Sequence, residues 1–185
     1  MPLIQSKSFG EGLEAPDFSL LATDGKTYSL GDLLDKKALV LVFTCNHCPY
    51  AQAAWPLLIE LYYQFRDTAR FVAINSNDET TYPEDSFEAM KEKTEEWLIP
   101  FPYLRDESQD VARAYEAQCT PDVYAFRTES EKASLFYRGR IDDNWQEPQN
   151  ATTHDLQDAL RSLLSGSDAP TQQYPSTGCS IKWKE

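Results

Sequence analysis

A chain of 185 residues, 41% hydrophobic and 25% charged, has the composition of a globular protein with an ordinary core. Its formal charge of −13 at pH 7 offers no basic face to nucleic acid or anionic lipid, and no stretch approaches the ~20 apolar residues that span a bilayer. Met1-Pro2-Leu3-Ile4-Gln5-Ser6-Lys7 lacks the apolar core of a secretory signal, so a reducing, cytoplasmic setting is expected, where four cysteines suggest redox or metal chemistry.

Asp24-Gly25, between Ala15-Pro16-Asp17-Phe18-Ser19-Leu20 and Lys26-Thr27-Tyr28-Ser29-Leu30, predicts a β-hairpin. Residues 29–34 follow as a short helical turn. Ala38-Leu39-Val40-Leu41-Val42-Phe43 is a continuous apolar run, the pattern of a strand buried on both faces of a parallel sheet. From Pro49 the apolar positions fall at Ala54, Leu58, Leu61 and Phe65, a helical spacing. Pro56 is expected to kink or offset that helix, since it removes an internal hydrogen bond. Arg70-Phe71-Val72-Ala73-Ile74-Asn75 is the next strand, one crossover away, completing a βαβ unit.

Residues 84–98 predict an amphipathic helix with Phe87, Met90, Thr94 and Trp97 on one side. Phe101-Pro102-Tyr103-Leu104 is expected as a short edge segment and residues 108–115 as a further helix. Val123-Tyr124-Ala125-Phe126 and Ser134-Leu135-Phe136-Tyr137-Arg138 form an antiparallel pair. Thr152 or Thr153 caps a last helix striped by Leu156, Leu160, Leu163 and Leu164. After Gly166 the polar composition predicts an irregular tail ending in Cys179-Ser180-Ile181-Lys182-Trp183. The expected class is α/β: a central mixed sheet flanked by helices in three layers, with an N-terminal hairpin extension. It forms one domain over residues 1–185, with its core at 13–166 and its tail at 167–185.

Thr44-Cys45-Asn46-His47-Cys48-Pro49 falls between the buried strand and the helix start. Thiols at such a turn meet unpaired backbone N–H groups and the positive end of the helix dipole, which favour a thiolate. A thiolate with a second thiol in reach is the minimum for dithiol–disulfide exchange. Cys45, nearer the open end, is expected to attack, and Cys48 to resolve. Half of a zinc site is the rival reading of two such cysteines, but the other Cys and His residues form no second close pair. His47 either favours the thiolate when protonated or is an exposed turn residue, and Asn46 serves the turn.

In Cys119-Thr120-Pro121, Cys119 is a buried small hydrophobe or a further redox thiol. Cys179 is either an exchange thiol on a mobile segment or part of a tail docked through Ile181 and Trp183. His154 suggests a surface residue, and Asp142-Asp143, following Arg138 and Arg140, local ion pairs.

Together with Phe43-Thr44-Cys45-Asn46-His47-Cys48-Pro49-Tyr50, the stretches Ala15-Pro16-Asp17-Phe18, Asn75-Ser76-Asn77-Asp78, Phe101-Pro102-Tyr103-Leu104, Cys119-Thr120-Pro121-Asp122, Gly139-Arg140-Ile141-Asp142-Asp143 and Gly178-Cys179-Ser180-Ile181-Lys182-Trp183 carry a family resemblance. From about residue 13 to its end the chain resembles the thioredoxin-like superfamily, in its peroxiredoxin-like branch of alkyl hydroperoxide reductase/thiol-specific antioxidant type. That resemblance implies a thioredoxin-like fold, Pro121 as a cis-proline beside Cys45 and Cys48, and Thr120 offering backbone groups to an extended chain or thiol substrate.

The sequence departs from both parents. In peroxidase members a threonine and a proline precede the peroxide-reducing cysteine by three and seven residues. Here those places hold Cys45 and Leu41 counted from Cys48, and Val42 and Ala38 counted from Cys45. Thr44 and Leu39 stand where thioredoxin has a tryptophan and a buried aspartate.

The functional expectation is a thiol–disulfide oxidoreductase using Cys45 and Cys48, without cofactor. Its partners are a protein or small-molecule thiol or disulfide and a cellular thiol reductant, with neither nucleic acid nor membrane. One alternative is a thiol peroxidase with Cys119 or Cys179 resolving. The other is a copper or zinc module with Cys45, Cys48 and His47 or His154 as soft ligands.

Overall fold

The computed structural model describes residues 3–7 and 12–184, so Met1 and Pro2 of the N-terminal segment lie outside the described residues. After a short strand β1 (Leu3–Gln5), the strands β2 (Ser19–Ala22) and β3 (Thr27–Ser29) form the expected hairpin, with Gly25 at φ +82° supplying its turn. A 3₁₀ turn at Gly31–Leu33 leads to β4 (Ala38–Phe43), then to α1 (Pro49–Phe65) and β5 (Ala69–Asn75). Strand β4 runs parallel to β5 on one side and antiparallel to β8 (Asp122–Glu129) on the other, so it is an interior strand of a mixed sheet. The hairpin of β8 with β9 (Lys132–Arg138) closes one edge, and with β6 (Tyr103–Arg105) the strand order is β3-β2-β6-β5-β4-β8-β9.

All six residues of β4 are buried, and their alternation divides them between two cores. Ala38, Val40 and Val42 face Trp55, Leu58 and Leu61 of α1, Met90 of α2 (Phe87–Glu96), and Leu156, Leu160 and Leu163 of α4 (Asp155–Ser165). Leu39, Leu41 and Phe43 face Phe18, Leu33, Ile181, and Val111 and Ala112 of α3 (Asp110–Ala114). Each leucine fully buried in this way is worth about 1.5–3 kcal/mol, which explains the unbroken apolar run. These three layers are the thioredoxin-like fold. Among the described residues no helix is long and apolar enough to cross a membrane.

Several expectations needed correction. The helix foreseen over residues 84–98 is split, because Pro83–Asp85 forms a 3₁₀ turn and Ser86 then caps α2 by accepting from the Ala89 N–H at 3.3 Å. Strand β6 (Tyr103–Arg105) is interior, paired with β2 and β5, rather than an edge. Neither Thr152 nor Thr153 caps α4; His154 stands at its N-cap, and the backbone N–H groups of both threonines go to Asp143.

The tail, expected to be irregular, contains β10 (Thr177–Ser180), which lies between β1 and β7 (Cys119–Thr120) in a second small sheet. Its flanks are anchored. Ser176 and Ser6 exchange hydrogen bonds of 2.9 Å, and the Lys182 carbonyl accepts from the Asp78 N–H and from Gln109 Nε2, each at 2.8 Å. Ile181 is buried, and the Arg113 guanidinium lies 5.0 Å from the Trp183 ring centroid. The docked reading of the tail therefore holds.

Gly178 permits that docking, because a Cβ there would stand 2.1 Å from the Thr120 carbonyl oxygen. Gly178→Ala is expected to lift β10 from β7 and cost about 1–3 kcal/mol. The check is a lower urea midpoint together with faster alkylation of Cys179; an unchanged midpoint counts against this contact.

Candidate active site

The C-terminal end of β4 delivers Thr44 and Cys45, and Cys48 occupies the N-cap of α1 with Pro49 as the first helical residue. The turn between them is tied down from all sides. The Asn46 N–H donates to Asp85 at 2.7 Å, and its side-chain amide donates to the Glu84 carbonyl at 2.8 Å. Asn46 Oδ1 accepts from the Tyr103 hydroxyl at 3.0 Å, and its carbonyl from Gln52 Nε2 at 2.7 Å. Asn46 thus organises the loop through four partners, well beyond a turn-forming role. Thr44 is buried, and among the described residues its hydroxyl finds no hydrogen-bond partner.

All four cysteines are free thiols and buried, so the expected open position of Cys45 is not what the structure shows. Cys45 and Cys48 are each 0% exposed and Cys179 is 6% exposed. Cys45, Cys48 and Cys179 pack in one small cluster with Ala51, against Tyr50. Cys45 Sγ lies 3.3 Å from Thr120 Oγ1, and Cys48 Sγ lies 3.4 Å from the Thr120 carbonyl, which accepts from it when it is protonated. The Thr120–Pro121 peptide is cis.

The backbone edge of Thr120 is not open to an extended partner, in contrast to what the resemblance implied. Cys179 of β10 already pairs opposite Thr120, and Gly178 makes that close approach possible.

The electrostatics separate the two thiols of the turn. A hydrogen bond from the Cys45 thiol is the largest influence on Cys48; with the Cys179 thiol and the backbone N–H groups of Ala51 and Cys179, it lowers the Cys48 pKa to about 4 against the cost of burial. Burial pushes Cys45 the other way, well above the ordinary thiol range, and the nearby Cys48 and Asp85 reinforce it. The environment therefore favours the thiolate at Cys48, where the sequence suggested Cys45. Helix α1 begins just after Cys48, and the Ala51 N–H of its first turn is among the groups that favour the anion there.

His47 is neither exposed nor unpaired. Its Nδ1 lies 2.6 Å from Asp85 Oδ2, and its ring stacks on Tyr82 at 5.0 Å. The hydrogen bond to Asp85 raises its pKa, against partial burial. Asp85 is fully buried, which opposes its charge. Hydrogen bonds from His47, Asn77 and the Asn46 amide outweigh that cost and hold its carboxyl below the ordinary range.

Sequence reasoning missed Asp85 altogether, because it lies 38 residues from His47 and no local spacing announces it. Cys45, His47 and Asp85 have potential metal-ligating atoms within 4.8 Å of one another. Asp85 already accepts from Asn46, Asn75, Asn77 and His47, while among the described residues the buried His47 Nε2 has no hydrogen-bond partner. His154 is exposed at the start of α4 and is no part of it.

Cys119 points away from the pair, toward the carbonyls of Pro121 at 3.5 Å and Ser176 at 3.9 Å, and burial raises its pKa. The acidic pair does not form the expected local ion pairs. Arg140 pairs with Asp155 and Arg138 with Asp122, while Asp142 and Asp143 accept from nearby backbone N–H groups. Asp142 and Asp143 instead border a cavity of about 250 Å³ beside Pro121, Tyr50 and Trp145. Tyr50 is the shared wall between that cavity and the thiol cluster.

The AhpC/TSA family model matches residues 12–136. YneN, a thioredoxin-like protein of Bacillus subtilis, is 30% identical over 114 residues, a match covering 62% of this chain and 64% of that protein, so the chain spans less than two thirds of that relative. The crystal structure of an uncharacterized conserved protein from Geobacillus kaustophilus is 44% identical, with a TM-score of 0.93 over 100% of this chain and 97% of the other. That of a hypothetical protein from Sinorhizobium meliloti is 36% identical, with a TM-score of 0.89 over 97% of this chain and 98% of the other.

Proposed function

This chain belongs to the AhpC/TSA family, whose members are oxidoreductases, and we propose that it is a thiol–disulfide oxidoreductase in which Cys48 attacks and Cys45 resolves. The observation that carries this reading is the packing of Cys45 and Cys48 in one small cluster, with Cys48 at the N-cap of α1. In the reaction the Cys48 thiolate attacks one sulfur of a substrate disulfide, and the other sulfur leaves as a thiolate. Cys45 then loses its proton and closes on Cys48, expelling the second substrate thiol. Two electrons pass to the substrate, a Cys45–Cys48 disulfide forms, and a thiol reductant returns it to the dithiol.

The Cys45 proton leaves toward the His47–Asp85 pair, whose atoms lie within 4.8 Å of that sulfur. This supplies from the Pro83–Asp85 turn what Leu39 does not supply on the strand. The cavity beside Pro121 and Tyr50 is where the substrate docks, and a reducing, cytoplasmic compartment suits the reduced dithiol.

Stabilising a thiolate stabilises the reduced form, so the Cys45–Cys48 disulfide is oxidising relative to one between ordinary thiols. The thiolate is lost as pH falls through about 4. Ultraviolet thiolate absorbance of the native protein minus that of Cys48→Ser is therefore expected to stay flat from about pH 6 to 8 and to collapse below about 5. A midpoint in the ordinary thiol range would remove the assignment of Cys48.

A second reading, thiol peroxidase, has one observation in its favour. Cys48 is 0% exposed, which suits a small hydroperoxide better than a protein disulfide. Turnover of a disulfide and of hydrogen peroxide, measured with the same dithiol donor, separates the two. Peroxide consumption without disulfide reduction would transfer the assignment.

A further inference from the structure

The Cys45/Cys48 exchange forms no bond to Cys179, yet β10 brings that thiol into the same cluster as theirs. Cys179 sits directly opposite Thr120 in the β7–β10 pairing, and it is the Thr120 carbonyl that lies 3.4 Å from Cys48 Sγ. Cys45 and Cys179 both pack in the same buried cluster as Cys48. Cys48 is thus a central sulfur with two candidate partners. Helix α1 packs on β10 itself.

Cys119 lies across the same pairing, opposite Ser180, but it turns to backbone carbonyls instead. Among the four thiols Cys179 is the least enclosed, 6% exposed where the other three are 0% exposed. The anchored flanks of β10 hold it at Cys48, so the encounter is intramolecular and its effective concentration is high.

We propose that Cys179 is a third redox thiol, which forms a disulfide with Cys48 in alternation with Cys45 and is the sulfur at which an external dithiol reduces the protein. The proposal rests on the reading of Cys48 as the reactive sulfur. Cys179 gives its proton to Cys45 and attacks Cys48 Sγ. The Cys45–Cys48 bond breaks and a Cys48–Cys179 bond forms, with no net oxidation or reduction. A thiolate of the reductant then attacks Cys179 Sγ, and the electron pair of the broken bond leaves on Cys48. The second thiol of the reductant closes on the first, releasing Cys179, which regains a proton. Two electrons have passed from the dithiol to the protein. Cys48 is the right leaving group, because thiols of lower pKa leave faster.

The test uses the full chain as Cys45→Ser, oxidised mildly with oxidised glutathione, digested without reduction and mapped by mass spectrometry. A link between the peptides bearing Cys48 and Cys179, in most of the protein, is the expected result. A folded variant in which Cys48 carries only glutathione, or an interchain link, overturns the proposal. Should Cys45→Ser not fold, the native protein poised across a series of glutathione buffers must show the Cys48–Cys179 link at intermediate ratios, and its absence throughout overturns the proposal equally.

Dithiol-driven turnover of Cys179→Ser is expected to fall about tenfold or more, and unchanged turnover overturns the route through Cys179. The two readings fail separately. Disulfide turnover with a Cys45–Cys48 link but no Cys48–Cys179 link sinks this inference alone. A Cys48–Cys179 link in a protein that reduces no disulfide sinks the oxidoreductase reading instead.

Discussion

Cys48→Ser is expected to reduce disulfide turnover by about 10³-fold or more, since it removes the nucleophile on which both bond-forming steps depend. A serine hydroxyl stays protonated at neutral pH and forms no disulfide, so neither the first attack nor the closure by Cys45 remains. The fold should tolerate the change, because Cys48 is the N-cap residue of α1 and serine is among the favoured N-caps. Stability is therefore expected to stay within about 1 kcal/mol of the native protein, which separates lost chemistry from lost structure. The measurements are kcat/KM in a dithiol-coupled assay and a urea melt on the same sample. Retention of more than about a tenth of the native rate would mean that the attacking sulfur is elsewhere.

Asp85→Ala is expected to have the largest effect on stability. The carboxylate is fully buried and accepts from the Asn46 N–H at 2.7 Å, Asn77 Nδ2 at 2.7 Å, Asn75 Nδ2 at 3.3 Å and His47 Nδ1 at 2.6 Å. Removing it leaves those donors unsatisfied in a site closed to water, at a cost of about 3–5 kcal/mol. The urea midpoint should fall with little change in slope.

The conservative Asp85→Asn tests the charge itself. The His47 pKa should return toward its ordinary value of 6.5 in an NMR titration, and closure of Cys45 on a substrate-bound Cys48 should slow. A His47 pKa that does not move would break the link between the two side chains.

The sign of the pH dependence follows from both partners. His47 is raised, so its contribution is complete below 6.5 and is lost as pH rises through the folded value. Asp85 is lowered, so its contribution is complete above 3.8 and is lost as pH falls through the folded value. The pair is therefore at full strength between those two ordinary values.

What the amino-acid order determined unaided was a set of elements with strong local pattern. The apolar run of β4, the helical spacing after Pro49 and the Asp24-Gly25 turn each state which face is buried or which φ is needed, and neighbours in sequence suffice to express that. The placement of Cys45 and Cys48 at a strand-to-helix turn was legible for the same reason.

Only tertiary structure sets the surroundings that separate the two sulfurs, because these include the Cys179 cluster and the point where α1 actually begins. It also decided that Asp85 joins His47 from a separate turn, that β6 is interior, and that Gly178 lets the tail occupy the Thr120 edge. Periodicity records exposure along one element, whereas hydrogen-bond partners, close backbone approach and desolvation arise between elements remote in the chain. No spacing within any one element encodes them.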